Sequence, residues 1–456
     1  MNIIIVGCGQ VGSALAEQLN ERGNNITVVD TDEKSLRAIT DRLDIMGVIG
    51  NGATYTTLKD AGISRADLLI AVTPSDELNL LCCITAKKAS NCRAIARVRS
   101  HEYSEEAAFL KDELDLAMVI NPELASAEEM ARVLRFPSAL SIETFAKGRV
   151  ELIKFRVPDD SNLIGRSIKE IITKDKHKVL FCTVERDDET YIPNGDFEFD
   201  SHDIISFVAT PDSATRFFKN IGYNTDAVKD LIIVGANEIT HYLLTLIKKY
   251  NLDVKVIDRD RERCESLSIA FPHITVINDD TSVQENLDEQ GVETAGAFLA
   301  LTDIDEENII LSLYAKSHMC RKVVTKIKRL DYDDIIEKLE LDTVIYPKNL
   351  VATSIARYVR GMRNTQGSNI ESLHSIIQGE IEAAEFIVRE PSPMVGVPLA
   401  ELRLRKQIII AAIIRGKELI FPRGSDTIEV GDSVIVVSKE RALRDITDCL
   451  ISSGKK

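Results

Sequence analysis

No stretch of this sequence is apolar for long enough to cross a bilayer. The longest runs, such as Leu68–Val72 and Ile408–Ile414, fall well short of the roughly 20 residues that a spanning helix needs. The first residues pass directly into an apolar strand and glycines, without the basic flank and apolar core of a secretory leader, so a cytosolic protein is expected. Paired cysteines are missing too. The eight, at positions 8, 82, 83, 92, 182, 264, 320 and 449, form no Cys-x-x-Cys and none lies at zinc spacing from a histidine; reduced core thiols are expected. The seven histidines are dispersed, and neither a G-x-x-x-x-G-K-S/T loop nor a G-x-S-x-G elbow is present, so ATP hydrolysis and acyl transfer have no motif behind them. With only 12 prolines, 44% hydrophobic and 28% charged residues, the composition is that of a folded chain. A net charge of −16 opposes nucleic acid and anionic lipid alike. Work at a membrane would require docking on another protein.

A length of 456 residues exceeds what one core can fill, and the sequence repeats itself. Asn2-Ile3-Ile4-Ile5-Val6-Gly7 answers to Asp230-Leu231-Ile232-Ile233-Val234-Gly235, and Val28-Val29-Asp30 to Val256-Ile257-Asp258, all displaced by 228 positions. Ala71-Val72-Thr73 through Asn79 answers to Ala300-Leu301-Thr302 through Asn308 at a displacement of 229. The tails also match, Asn162–Ile168 with Pro393–Leu399 and Asp203-Ile204-Ile205 with Asp432-Ser433-Val434. Within the first unit, apolar runs at 3–6, 26–29, 45–49, 68–72, 94–98 and 117–120 read as strands separated by helical spacing. That alternation gives parallel βαβ units. The tails are strand-rich, with Pro193-Asn194-Gly195 as a turn. The expected architecture is α/β: two tandem Rossmann-like, doubly wound parallel-sheet domains at 1–137 and 223–366, each followed by a small α+β domain at 138–222 and 367–456.

Gly7-Cys8-Gly9-Gln10-Val11-Gly12 follows a strand and opens a helix, the context in which G-x-G-x-x-G holds a dinucleotide. Gly7 allows the turn, Gly9 the approach of a pyrophosphate, Gly12 the packing of helix on strand, and the helix N-terminus holds the phosphates. Asp30, at the end of the second strand, is placed to accept hydrogen bonds from ribose hydroxyls and to repel the extra phosphate of NADP. Asn51-Gly52, Thr73, Arg97 and Arg99 are expected to line the rest of the pocket at the C-terminal strand edge. Arg97 and Arg99 share a face of the fifth strand and could meet a phosphate or simply solvent.

The second loop, Gly235-Ala236-Asn237-Glu238-Ile239-Thr240, has a side chain in both later glycine places. Asn237 tolerates positive φ but crowds the pyrophosphate, and Thr240 blocks close helix packing. Nucleotide binding by Asp258, Thr302 and Lys326 around that loop stays open. Asp76-Glu77 and Asp305-Glu306-Glu307 read as solvated helix starts rather than as a cation site. A dehydrogenase would need a proton-transferring residue beside the cofactor, and none is obvious, so an NAD-dependent oxidoreductase remains only as the alternative.

The glycine loop with Asp30, the Asn51-Gly52-Ala53 turn, Thr73 through Asn79, the Arg97-Val98-Arg99 segment and Leu163 through Ile168 together resemble the TrkA family of potassium uptake regulators, proteins made of two potassium-conductance-regulating (RCK) units. The resemblance covers essentially the whole chain. It implies that each N-terminal part binds NAD(H) or an adenine nucleotide such as ATP or ADP, and that each small part is a regulatory ligand domain. It further implies assembly as a homo-oligomeric ring on the cytoplasmic face of a separate potassium-translocating membrane subunit, with binding acting as a switch and no chemistry required.

Overall fold

The computed structural model describes residues 1–456 except 137–138, 147–148, 176–177, 188, 223–227, 251, 329–332, 365–369, 378–380, 406, 417, 440–442, 444 and 452–456. The expected domain boundaries at 137/138, 222/223 and 366/367 fall at residues outside the described set. Among the described residues no helix is long and apolar enough to cross a membrane.

Six parallel strands, β1 (Asn2–Val6), β2 (Asn25–Asp30), β3 (Met46–Ile49), β4 (Leu68–Ala71), β5 (Arg93–Arg97) and β6 (Met118–Ile120), form the first sheet in the order β3-β2-β1-β4-β5-β6. β4 is buried at every residue and β1 at every residue after Asn2. Helices cover both faces of such a sheet, which is why its central strands read as unbroken apolar runs. Chain order reverses between β1 and β4, and the crevice at their C-terminal ends is where open parallel sheets receive ligands.

The first small domain is antiparallel. β7 (Ala139–Phe145), β8 (Val150–Arg156), β9 (Val179–Arg186), β10 (Glu189–Tyr191) and β11 (Ile204–Ala209) run in the order β10-β9-β11-β8-β7. Phe207 packs on Phe217 of the helix Pro211–Asn220 with centroids 4.9 Å apart. The second half repeats both sheets. β12 (Asp230–Val234), β13 (Asp253–Asp258), β14 (Thr275–Asn278), β15 (Ala297–Ala300), β16 (Lys322–Lys326) and β17 (Thr343–Ile345) are ordered β14-β13-β12-β15-β16-β17. β18 (Ile370–Ile377), β19 (Ile381–Ile387), β20 (Ile408–Arg415), β21 (Glu418–Ile420) and β22 (Ser433–Ser438) are ordered β18-β19-β22-β20-β21, the small sheet read from its other edge.

The chain divides into two compact units, each made of matching parts of the two halves: Met1–Ala131 with Val228–Ala356, and Arg132–Ala227 with Arg357–Lys456. Within the first unit the Tyr242 hydroxyl donates to the carbonyl of Arg99 and accepts from Asn121 Nδ2, both at 2.9 Å. Within the second, Phe145, Val150, Leu152 and Val208 share one core with Ile381, Ala383, Ala412, Ile435 and Val437. Each small sheet therefore buries two faces, one on its own copy and one on the other, which removes the period-two alternation that an exposed face would leave in the sequence. The repeat extends to ion pairs. Arg186 grips Asp203 with two bonds of 2.6 Å, and Arg415 grips Asp432 at 3.0 and 2.9 Å, in equivalent places.

Candidate nucleotide-binding site

The three glycines of the first loop are glycine for three different reasons. Gly7 has φ +107, and a Cβ there would also press on the backbone of Val72 and Thr73 at 3.1 Å. Gly12 is a packing glycine, since a Cβ would come within 1.8 Å of the Gly7 carbonyl oxygen. Gly9 is different: its φ is −67, open to any residue, and a Cβ would meet nothing within 4 Å. What Gly9 keeps clear is the space over the N-terminus of the helix Gln10–Glu21, which no side chain caps. The first-turn N–H groups of a helix are donors in search of an anion.

Asp30 closes the other side of that space. Its Oδ2 accepts the Cys8 N–H at 2.5 Å and its Oδ1 the Asp32 N–H at 2.9 Å, so the loop and the acid hold each other, and a carboxylate with two oxygens retains acceptor capacity for a ribose. Burial, and then Asp30, push the Cys8 thiol up to about 12, which leaves it neutral and unreactive. Asn51 and Gly52 shape the cleft from behind: Asn51 Oδ1 takes the Ala53 N–H, and a Cβ on Gly52 would lie 2.3 Å from Val6 Cγ1.

Thr73 and Arg97 are positioned by a residue to which sequence reasoning gave no role. Asn79 is fully buried; its Oδ1 accepts the N–H and hydroxyl of Thr73, and its Nδ2 donates to the carbonyls of Thr73 and Arg97. It ties the ends of β4 and β5 together, and its signal was the Thr-to-Asn spacing that recurs as Thr302 and Asn308. Asp76 differs from the solvated reading: it is buried, and its Oδ2 accepts the N–H groups of Arg99 and Ser100. Asp305 likewise takes the Lys328 N–H. Arg97 ends β5 whereas Arg99 lies past it. Arg97 reaches Glu123 at 3.5 Å, and burial lowers its pKa against the opposing pull of Glu123. Arg99 donates to the Pro74 carbonyl at 2.5 Å. The Nε atoms of both arginines, with Asp76 Oδ1 and Glu123 Oε2, are buried without a hydrogen-bond partner.

In the second copy the same place is filled by the protein itself. Asn237 has φ −121, so positive φ is not what it supplies. Its Oδ1 accepts from the N–H groups of Ile239 and Thr240 at 3.0 and 3.4 Å, and its Nδ2 donates to the Leu301 carbonyl at 2.6 Å. The side chain satisfies the donors that a phosphate would use. Thr240 does not block packing as expected: it is buried, and its hydroxyl donates to the Gly235 carbonyl at 2.5 Å, turning the contact that Gly12 avoids into a hydrogen bond. Asp258 keeps the arrangement of Asp30, accepting from Ala236 and Asp260.

Lys326, almost fully buried, donates to the Leu301 carbonyl at 2.7 Å. Asp303 receives Lys328 Nζ at 2.7 Å and Arg263 Nη1 at 3.2 Å. Arg263 belongs to the helix after β13 and Asp303 to the loop after β15, so this bridge crosses the cleft over β12. The first copy has Ser35 and Pro74 in those two places. Burial, with Lys328 beside it, draws Lys326 down to about 8. Burial would raise Asp303, but the Lys328 bond, both lysine charges and the Arg263 bond hold it at about 2.

Comparison with known proteins agrees with this duplicated geometry. The TrkA-N domain model matches residues 3–122 and 231–347, and the TrkA-C domain model matches residues 152–222 and 383–450. The Trk system potassium uptake protein TrkA homolog 1 of Methanosarcina mazei is 30% identical over 454 residues, 98% of this chain and 99% of its own. The TrkA homolog of Archaeoglobus fulgidus is 31% identical over 439 residues, 96% and 97% of the two chains. Among solved structures, the GsuK channel bound to NAD superimposes with a TM-score of 0.64 at 18% identity, covering 96% of this chain and 77% of that one.

Proposed function

Because the chain belongs to the TrkA family of Trk system potassium uptake proteins, we propose that it is a nucleotide-sensing regulatory subunit rather than an enzyme. It binds NAD(H), with ATP or ADP as the other candidates, in the first Rossmann-like half. The site comprises the Gly7–Gly12 loop and Asp30, with Thr73 and Arg97 beyond them. A ligand that prefers one arrangement of the assembly shifts its population, and that shift controls a separate potassium-translocating membrane protein on which the subunit docks from the cytoplasmic side. The working layout is 1–137 and 223–366 for the Rossmann-like domains and 138–222 and 367–456 for the small ones.

The observation that carries the reading is Gly9: a glycine required neither by its φ nor by any neighbour within 4 Å, at the uncapped start of a helix, with an acid at the end of the next strand. The second copy lacks that opening, since Asn237, Lys326 and the Arg263–Asp303 bridge fill it, so one nucleotide per chain is the expected stoichiometry. Support for the ligand class comes from the neighbours, one of which is a GsuK channel bound to NAD and another a GsuK bound to ADP. Calorimetric titration of the full chain with NADH, NAD, ADP and ATP tests the reading. The expected result is saturable binding of at least one of them at one site per chain. Binding of none would leave the glycine loop without a ligand and the proposal without a basis.

Self-assembly is supported by a patch present twice. Tyr55, Leu81 and Ile84 are exposed on the first half, and Val283, Ile304 and Ile310 on the second. Ile310 occupies the place of Leu81 in the repeat, while Val283 answers to Thr54 and Tyr55 to Gln284, one position apart at the start of equivalent helices. Apolar side chains exposed at equivalent positions of two divergent copies fit a shared contact with other copies of the chain.

A further inference from the structure

The two Rossmann-like halves meet so that the start of one helix from each half faces the glycine loop of the other, and these two helix starts carry opposite charges. The helix Pro347–Asn364 of the second half begins Pro347-Lys348, and the equivalent helix of the first half, Pro122–Arg135, begins Pro122-Glu123. Lys348 is buried, and its Nζ lies 3.1 Å from Oε1 of Gln10, the first residue of the helix that opens the first glycine loop. In the other direction, Glu123 lies close enough to Glu238, the residue matching Gln10 in the second loop, to add to the rise that burial imposes on its pKa. The first loop thus faces a cation from the second half, whereas the second loop faces a mixed set from the first, Glu123 and Asp76 together with Arg99 and His101.

A lysine in the first turn stands at the positive end of its own helix macrodipole, so Lys348 is not placed there by the helix that carries it. Its ammonium reaches across to the Gln10 side chain at 3.1 Å, and a phosphate at the N-terminus of Gln10–Glu21 would lie within its reach.

We propose that Lys348 is a nucleotide-binding residue of the first site, contributing its ammonium to the phosphate oxygens of a bound adenine nucleotide, so that the site is completed by the other half of the same chain. This rests on the nucleotide-binding reading above and deepens it. Binding then pulls the second half onto the first through a charge-assisted contact.

The test is calorimetry on the whole 456-residue chain with ATP, ADP and NAD for the wild type, Lys348→Met and Lys348→Arg, each checked for an unchanged circular dichroism spectrum. For whichever nucleotide binds the wild type, Lys348→Met should weaken binding about 10-fold or more, the scale of one charge-assisted contact to phosphate. Lys348→Arg, which keeps the charge, should stay within about 3-fold. Wild-type affinity in Lys348→Met overturns the proposal while leaving the nucleotide site standing. A wild type that binds no nucleotide removes the underlying reading instead. If Lys348→Met loses its fold, the Lys348→Arg and Lys348→Gln pair decides: equal affinity of these two, in one of which the charge is gone, overturns the proposal.

Discussion

Side-chain volume separates the glycines of the first loop by role, and that separation can be measured. Gly9→Ala places a methyl where the protein has nothing within 4 Å, at an ordinary φ of −67. The folded state should keep its stability to within about 0.5 kcal/mol, while a nucleotide loses its close approach to the backbone. Binding should weaken by about 1–3 kcal/mol, roughly 5- to 150-fold by calorimetry. Gly12→Ala drives a Cβ to 1.8 Å from the Gly7 carbonyl oxygen and should lower unfolding stability by about 1–3 kcal/mol, the cost of an overpacked contact. If Gly9→Ala binds as the wild type does, the space over that helix end is not the pyrophosphate site. The second loop gives the converse experiment. Asn237→Gly removes a cap that bonds two N–H groups and a carbonyl, so about 0.5–2 kcal/mol of stability should be lost. It should not by itself create a nucleotide site, because Asp303 still ties Arg263 and Lys328 across the cleft. Binding by an otherwise native Asn237→Gly, located in the second half by a Gly9→Ala background, would show that the bridge is no barrier.

At the scale of elements, the strand ends around each cleft are fixed by buried polar side chains. Asn79→Ala should cost about 2–4 kcal/mol, since it leaves the carbonyls of Thr73 and Arg97 and the N–H of Thr73 without the partners that join β4 to β5. Denaturant unfolding measures it, and a loss below about 0.5 kcal/mol would mean that these ends are held by other contacts. In the second half Lys326 gives a pH signature. Its pKa is about 8 when folded and about 10.4 when unfolded, so between those values the unfolded chain holds the extra proton and stability rises with pH. Below pH 8 both states are charged and the desolvation penalty is present in full. The difference in unfolding free energy between wild type and Lys326→Met should therefore shift by about 1–3 kcal/mol in favour of the wild type from pH 8 to pH 10; a flat difference would place Lys326 in contact with water.

These elements also mark where the sequence was readable. Both parallel sheets were legible because doubly covered strands leave unbroken apolar runs, and the repeat gave β12, β13 and β15 of the second half their partners β1, β2 and β4 in the first. The strand ends Asn2–Val6 and Met118–Ile120 lie within a residue of the apolar runs. The glycine fingerprint placed the first loop before its helix for the same reason. What could not be read was where side chains turn once the chain folds. Asp76 looked like a solvated helix start because the sequence does not show that the end of β5 presents two N–H groups to it. Thr240 looked like a steric block because hydrogen bonding to the Gly235 carbonyl depends on a distance, not on a residue type. Lys348 lies 338 positions from Gln10, and no periodicity links residues so far apart.

For the whole molecule, the proposal that copies associate through the exposed apolar side chains can be tested at a position that the repeat carries twice. Leu81 and Ile310 are exposed at equivalent places on the helices Asp76–Ala89 and Asp305–Ser317, whose other faces are buried. Tyr55 lies beside the first, where Thr85 bonds the Ala53 carbonyl, and Val283 beside the second, where Thr281 bonds Glu307. A chain with two equivalent patches can bind two neighbours, which is the minimum for a closed ring, whereas one patch would stop at a dimer. A glutamate in an apolar contact must be desolvated on association, at a cost of order 3 kcal/mol or more than 100-fold in the association constant. Leu81→Glu combined with Ile310→Glu should therefore yield monomers by sedimentation at concentrations where the wild type is assembled. Nucleotide affinity should stay within about 2-fold, because neither residue touches the loop or Asp30. The single variants report the pairing. If each patch meets its own kind, either substitution leaves dimers joined through the other patch; if the first patch meets the second of the next copy, either substitution alone breaks every contact and leaves monomers. An unchanged assembly in the double variant would remove the patch from the interface and, with it, the ring geometry proposed for this chain.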